Sequence, residues 1–214
     1  DLAASFPMVS FSCIDPNEAT STLRSYGQFG IAMSSSWGVR NKLNPVQYLQ
    51  QSSDVSRQLF KSFLAMRYLS SEHLECAMQN HHTTSSQYLW IRQAITSFAY
   101  SKNYYGPLIR RGVIEVPNYC FGFEREWRYV WLDWNTAQSF ITESERNNDP
   151  DIIADATKRL QNVYLPLDVR LIRAIIVESD QQKDQVVEWF SRRHPKFAAP
   201  EIFINLMRHE PDFS

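Results

Sequence analysis

The residues best suited to chemistry lie in one short segment of the sequence, residues 121–131. If this segment is a strand, Glu124, Glu126 and Arg128 share one face, because alternate side chains of a strand point the same way. Two carboxylates and a guanidinium would then stand in a row within a stretch otherwise rich in apolar side chains. Because burying an isolated charge is costly, the three groups must pair with one another or line a cleft.

The pattern leaves two interpretations of this segment open. In the first, the carboxylates and arginines form a cross-strand network on a solvated face and have a structural role. In the second, they border a cleft and carry catalysis. A nuclease that holds Mg²⁺ on these acids is a weaker third class, because the neighbouring arginines would compete with the metal. We therefore predict no metal at this segment.

Other chemical motifs are scarce in the sequence. The histidines include the adjacent pair His81 and His82, but no HExxH motif or zinc-deaminase signature accompanies them. The sequence also lacks a phosphate-binding GxxxxGK[ST] loop, a GxGxxG motif and a GxSxG nucleophile elbow. The cysteines, which lie far apart and are expected to be reduced and unligated, are Cys13, Cys76 and Cys120.

Composition places the chain among ordinary globular proteins. It has 214 residues, of which 43% are hydrophobic and 14% aromatic, and its net charge is −1. This balance gives no overall basic field, so any contact with nucleic acid would need a local patch. No run approaches the roughly 20 apolar residues that span a bilayer, and we expect a cytoplasmic protein without membrane contact.

Hydrophobic periodicity predicts an α+β fold, with a mixed β-sheet core, strands at both ends of the chain and a helical middle. The clearest helices are expected from Asp54 and over residues 84–100. The strongest strand is expected over residues 171–177, where a run of Leu, Ile and Val favours a central strand buried on both faces. The run Ser34-Ser35-Ser36 before Trp37 is expected to cap a helix rather than to have an active role, and an N-cap near Ser179 or Asp180 is expected to begin another helix.

Three stretches of the sequence carry a family resemblance. They are PMVSF at residues 7–11, YGQFGIAMSSSWGVRNKLNPVQYL at residues 26–49 and FEREWRYV at residues 123–130. Together they resemble motifs of the AbiGi family of abortive-infection proteins, which follow one another in the same order. The resemblance implies a bacterial phage-defence protein, part of a toxin–antitoxin pair, that forms a single domain over residues 1–214. Because residue 1 is not Met and a strand follows almost at once, we also expect an N-terminal segment before it.

A more distant resemblance links the Glu-x-Glu strand to ADP-ribosyltransferases of the DarT and tRNA 2′-phosphotransferase type. It implies an ADP-ribosyltransferase-like fold and NAD as the cofactor. Glu126 would be the catalytic acid and Glu124 the upstream acid of the pair. The cofactor-binding candidates are Tyr26, Tyr129 and Arg128, with either tyrosine able to stack on the nicotinamide ring. A fixed carboxylate would stabilise the positive charge that develops on the ribose during bond cleavage.

The resemblances lead to two functional expectations. The first is an NAD-dependent, ADP-ribosyltransferase-like toxin or effector that modifies a nucleic acid or a protein during infection. The alternative is a non-enzymatic antitoxin or infection sensor that binds a partner protein of the defence system, in which Glu124, Glu126 and Arg128 form a structural network.

Overall fold

The computed structural model describes residues 4–15, 29–68, 86–110, 112–132 and 140–204. The strands, in chain order, are β1 (Ala4–Ser5), β2 (Met8–Ser12), β3 (Gly30–Met33), β4 (Asn44–Pro45), β5 (Gln47–Leu49), β6 (Ser101–Asn103), β7 (Tyr105–Arg110), β8 (Val113–Cys120), β9 (Glu126–Val130), β10 (Ile141–Thr142), β11 (Ile172–Val177) and β12 (Glu201–Ile204). The helices are α1 (Ser35–Arg40), α2 (Asp54–Tyr68), α3 (Ser86–Ala99), α4 (Glu143–Asn148), α5 (Ile152–Arg159) and α6 (Asp180–Arg193).

The mixture of helices and strands confirms the predicted α+β class. The prediction of one mixed sheet as the core is wrong for the described residues, whose strands form several small sheets. Many of these strands have only two to five residues, which limits how far each ladder can extend. The helices are not confined to the middle of the chain, as the sequence predicts, because α4, α5 and α6 lie in its C-terminal third.

The chain divides into two compact units, each built from two separate stretches of sequence. The first unit contains Asp1–Ser12 and Leu43–Tyr164, and the second contains Cys13–Lys42 and Leu165–Ser214. That residues 1–214 form a single domain stays a prediction.

In the first unit, β9 is the central strand of a three-stranded sheet with the order β2-β9-β4. β2 runs antiparallel to β9 over its whole length, from the pair Met8 and Val130 to the pair Ser12 and Glu126. β4 adds a short antiparallel contact on the other side. The remaining strands of this unit pair two by two, as β1 with β10, β5 with β6, and β7 with β8.

The core of the first unit lies between α2 and α3. Phe63 of α2 is completely buried and packs with Ile91 and Ile95 of α3. The rings of Phe63 and Phe98 stack with their centroids 4.1 Å apart. Phe6, which lies between β1 and β2, packs on the same cluster. This apolar contact fixes α3, the helix that ends beside β9.

In the second unit, β11 is the central strand of a sheet with the order β12-β11-β3. Its central position confirms the sequence prediction, but burial on both faces is wrong. Ala174 and Ile176 are buried on one face. On the other face Val177 is buried, but Arg173 is exposed and Ile175 is only half-buried, so this face is covered only in part.

Two predicted helix starts are confirmed in the second unit. The Ser34 hydroxyl accepts a hydrogen bond from the backbone N–H of Trp37 and caps α1. The Ser179 hydroxyl accepts one from the backbone N–H of Gln182 and caps α6. Each cap satisfies an amide at the helix start that has no partner within the helix.

Two further findings concern the cysteines and the length of the helices. Cys13 is an exposed free thiol and Cys120 a buried one, while Cys76 lies outside the described residues. Among the helices that the structure describes, none has the length and apolar character needed to cross a membrane.

Candidate functional site

Strand β9 presents two charged side chains to the interior of its unit. Glu126 and Arg128 are buried on one face, and the alternate residues Trp127 and Tyr129 are half-buried on the other. The backbone N–H of Glu126 donates a 2.7 Å hydrogen bond to the hydroxyl of Tyr48. That bond satisfies an amide of β9 just beyond the residues that pair with β4. The burial pattern of β9 confirms the predicted alternation, with Glu126 and Arg128 on one face and Trp127 and Tyr129 on the other.

Glu124 lies outside β9, so the prediction that all three charged residues share one strand is wrong. The chain forms a 3₁₀ turn over Phe121–Glu124, and Arg125 then adopts a left-handed backbone conformation with φ 45°. Because the backbone between Glu124 and Glu126 is not extended, the period of two does not apply there. Glu124 nevertheless points inward, with 3% of its surface exposed, and it reaches the same cation as Glu126.

The carboxylate of Glu126 accepts four hydrogen bonds. Oε1 accepts from Ser10 Oγ at 2.6 Å and from Arg128 Nε at 2.6 Å. Oε2 accepts from Lys102 Nζ at 3.0 Å and from Arg128 Nη2 at 3.3 Å. A carboxylate offers about four acceptor positions in all, so these donors use the full capacity of the group.

Arg128 joins this carboxylate to the end of a helix. Its Nη1 donates to the carbonyl oxygen of Ala99 at 2.8 Å and to that of Ser101 at 3.3 Å. Ala99 is the last residue of α3, where backbone carbonyls lack partners within the helix and the helix dipole is negative. The guanidinium thus caps α3 and pairs with Glu126 through its remaining donors.

Lys102 of β6 bridges the two acids. Its Nζ lies 2.6 Å from Oε2 of Glu124 and 3.0 Å from Oε2 of Glu126. The same ammonium lies 4.4 Å from the centre of the Phe121 ring, within the range of a cation–π contact. We refer to Glu124, Glu126, Arg128 and Lys102 as the β9 charge cluster. It balances two negative charges with two positive ones.

The residues around Glu126 lower the pKa of its carboxyl group. Burial raises the pKa of the carboxyl, but hydrogen bonds from Arg128, Ser10 and Lys102 outweigh burial and lower the pKa to about 2. The ionised form is therefore the stable form at any physiological pH. Burial also raises the pKa of the Tyr48 hydroxyl, so this group stays protonated beside the cluster.

The structure brings together Glu124, Glu126 and Arg128, and it places Tyr129 apart from them. Tyr129 lies on the opposite face of β9, paired with Val9 of β2. Tyr26 lies outside the described residues. The catalytic and cofactor-binding roles assigned to these residues stay predictions.

Sequence reasoning missed two members of the arrangement, Lys102 and Ser10. Both are more than 20 residues away from Glu126 in the chain, so no local spacing points to them. One signal was present: two buried acids and a single buried arginine leave one negative charge unbalanced, which requires a second cation. That argument calls for a lysine or arginine but does not say which.

The arrangement is suited to holding elements together. Through side chains alone, it ties β9 to β2, to β6 and to the end of α3. Within the described part of the chain, no group of three or more His, Cys, Asp or Glu side chains could hold a metal ion.

Comparison with known proteins gives one family match. A family model described as "Putative abortive phage resistance protein AbiGi, antitoxin" matches residues 2–178, which is most of the chain. Neither the curated proteins nor the solved structures contain a match.

Proposed function

This chain belongs to the AbiGi family of abortive phage resistance proteins, described as antitoxins, and from that membership we propose that it is a non-enzymatic antitoxin. In this role it binds a partner protein of its defence system, the toxin, and restrains it until infection. The family match includes the β9 charge cluster and all of the first compact unit except Asp1.

The single observation that carries the proposal is the state of Glu126. This carboxylate is 6% exposed, its oxygens accept four hydrogen bonds, and its pKa is about 2. All the acceptor positions of this carboxylate are used by donors of the protein itself. Its contribution is to the cohesion of the sheet and the helix, as expected of a structural network.

A catalytic role would make different demands on the same group. To stabilise a developing positive charge on a ribose, a carboxylate must present an oxygen to the substrate. Glu126 would first have to release Ser10 or Lys102, and the two neighbouring cations would offset its charge. These demands favour the antitoxin over the ADP-ribosyltransferase, for which the candidates are Glu126 and Glu124 with NAD.

A growth experiment tests the proposal. Cells that produce the toxin of the same defence system are compared with cells that produce the toxin together with this chain. We expect growth to stop in the first culture and to continue in the second. The chain produced alone should leave growth unchanged, and the purified chain should not consume NAD.

The opposite pattern would identify an effector. Growth arrest by this chain alone, accompanied by NAD consumption that Glu126→Gln abolishes in a folded protein, would overturn the proposal. Failure of the chain to restore growth beside the toxin would also contradict it.

A further inference from the structure

We propose that residues 4–12 form a detachable strap, which opens from β9 while the rest of the first unit stays folded. We refer to these residues as the N-terminal strap. When the strap is closed, β2 covers one edge of β9 and Ser10 occupies an acceptor position of Glu126. When it is open, both become accessible. The inference rests on the contacts within the first unit and does not depend on the proposed antitoxin function.

The N-terminal strap buries little of its own surface. The structure describes it throughout, and none of its residues is fully buried. In β2, Met8 and Val9 are 37% and 46% exposed, and Phe11 is half-buried. Its aromatic anchor is the half-buried Phe6, whose ring centre lies 5.5 Å from that of Phe140. Segments with few buried apolar contacts open locally at a lower free energy than the whole domain unfolds.

The core of the first unit is complete without the strap. Its buried residues are Phe63, Ile91 and Ile95, and all three belong to the stretch Leu43–Tyr164. The stack of Phe63 on Phe98, with centroids 4.1 Å apart, also lies within that stretch. Since apolar burial is the dominant favourable term in folding, this core can persist while the strap is open.

The β9 charge cluster also depends little on the strap. All four of its members lie in the stretch Leu43–Tyr164, and the strap adds only the 2.6 Å hydrogen bond from Ser10. Without Ser10, Glu126 still accepts hydrogen bonds from Arg128 and Lys102. Losing one neutral donor costs much less than leaving a buried charge unpaired. The carboxylate therefore stays ionised and paired when the strap leaves, with one acceptor position free.

Two backbone amides of β9 point away from the strap. The N–H of Glu126 donates to the hydroxyl of Tyr48 at 2.7 Å, and the N–H of Val130 donates to the hydroxyl of Tyr100 at 3.3 Å. Both acceptors lie in the stretch Leu43–Tyr164. These two hydrogen bonds can therefore survive the opening of the strap.

The amides of the alternate residues point towards the strap. The N–H of Trp131, directly after β9, donates to the carbonyl oxygen of Pro7 at 3.0 Å. Because alternate backbone groups of an antiparallel strand face the same neighbour, the amides of Trp127 and Tyr129 face β2 as well. Opening of the strap would leave these three amides without their acceptors.

The strap thus controls whether β9 has a free edge. An uncovered strand edge presents a row of unpaired N–H and C=O groups that can pair with another chain. In the closed state that row is paired with β2 over the whole length of β9. The protein would present the edge, together with the free acceptor position of Glu126, only while the strap is open.

Hydrogen exchange of the full chain, measured residue by residue at urea concentrations below the unfolding transition, tests the inference. The amides of Trp127, Tyr129 and Trp131 should exchange through opening of the strap. The amides of Glu126 and Val130 should exchange at least about tenfold more slowly, after correction for the rate of each amide in an unfolded chain. Exchange of the strap-facing amides should also depend less on urea, because local opening exposes less surface than unfolding does.

Two serines of β2 provide a matched pair of variants. Ser10→Ala removes the hydrogen bond to Glu126 and should speed exchange of the strap-facing amides about three- to tenfold. Exchange at Val130 should change much less. Ser12→Ala makes the same substitution two residues further along β2, at another exposed position, and should change all these rates by less than about twofold.

Equal exchange rates with equal urea dependence on both sides of β9 would overturn the inference, because the strap would then leave only when the unit unfolds. A second contrary result would be equal effects of Ser10→Ala and Ser12→Ala, since Ser10 would not hold the strap to Glu126. The inference would also fail if Ser10→Ala sped exchange at Val130 as much as at Tyr129. Ser10 would then support the whole unit rather than the strap.

Discussion

The guanidinium of Arg128 donates a 2.8 Å hydrogen bond to the carbonyl oxygen of Ala99, the last residue of α3. This bond connects the central strand of a sheet directly to the end of a helix. Because the same guanidinium also pairs with Glu126, the strand, the helix end and the acid depend on one side chain. Substitutions in this group should therefore affect stability well beyond the strand.

Arg128→Lys should lower the free energy of unfolding by about 2–3 kcal/mol, although it preserves the charge. A lysine ammonium cannot reach Glu126 and the carbonyls of Ala99 and Ser101 from one position, so charged hydrogen bonds are lost. Urea unfolding provides the measurement. Arg173→Lys, at an exposed position of β11, is the control and should change stability by less than about 0.5 kcal/mol. Equal effects at the two positions would mean that Arg128 does not cap α3.

Glu126→Gln should destabilise the protein by about 3–5 kcal/mol, because it leaves the buried cations without their charge partner. The amide also turns a nitrogen donor towards groups that are themselves donors. Glu188→Gln serves as the control: Glu188 forms an exposed pair with Arg192 on α6, and such pairs contribute about 1 kcal/mol at most. A loss below about 1 kcal/mol at Glu126 would contradict the four bonds described here.

Stability should fall in acid as Glu126 takes up a proton. Its pKa is lowered from 4.5 to about 2 in the folded chain, so its contribution is complete above pH 4.5 and disappears as the pH falls towards 2. The interval corresponds to about 3 kcal/mol. Denaturation measured from pH 6 to pH 2 should show this loss in the parent chain and a shallower slope in Glu126→Gln. Parallel slopes in the two proteins would contradict it.

Arg125→Gly should leave stability unchanged or raise it by up to about 1 kcal/mol. Glycine removes the steric cost of a left-handed conformation, about 1–2 kcal/mol, and part of this gain is offset by the greater freedom of the unfolded chain. Thermal unfolding checks the sign of the change. A clear loss of stability would mean that the Arg125 side chain makes contacts that hold the turn.

Neighbouring isoleucines of β11 should differ in their tolerance of truncation. Ile176 is 7% exposed and packs with Ile14 and Phe203, so Ile176→Ala should cost about 2–5 kcal/mol. Ile175 is half-buried on the opposite face, and Ile175→Ala should cost clearly less. Parallel urea titrations compare the two. A larger loss at Ile175 would show that this face of the sheet is covered in solution.

Local signals in the sequence predicted the elements well. Ser34 and Ser179 cap helices where expected, α2 begins at Asp54, and β11 lies in the centre of its sheet. Each of these features depends on residues close together in the chain. Periodicity and capping are properties of such short stretches, so a single sequence is enough to recognise them.

The candidate site was harder to predict because its geometry depends on distant residues. The alternating composition predicts Glu124 on the strand, because no residue between it and Glu126 signals that the chain turns there. The partners Ser10 and Lys102 come from strands that only the tertiary fold brings to β9. The half-exposure of Ile175 likewise reflects what covers the sheet, which hydrophobic content alone does not report.

The pairing of β2 with β9 also has a consequence for synthesis of the protein. Ser12 pairs with Glu126, so more than 110 residues must be translated before β2 meets its neighbour. At about 5–20 residues per second, this delay lasts on the order of 6–23 s. The 3₁₀ turn over Phe121–Glu124 directly precedes β9, and the ion pair between Glu124 and Lys102 anchors it to the same charge cluster. A nascent chain that stops before Val130 would therefore lack the complete strand that carries Glu126 and Arg128, and the β9 charge cluster would form only once the ribosome has passed β9.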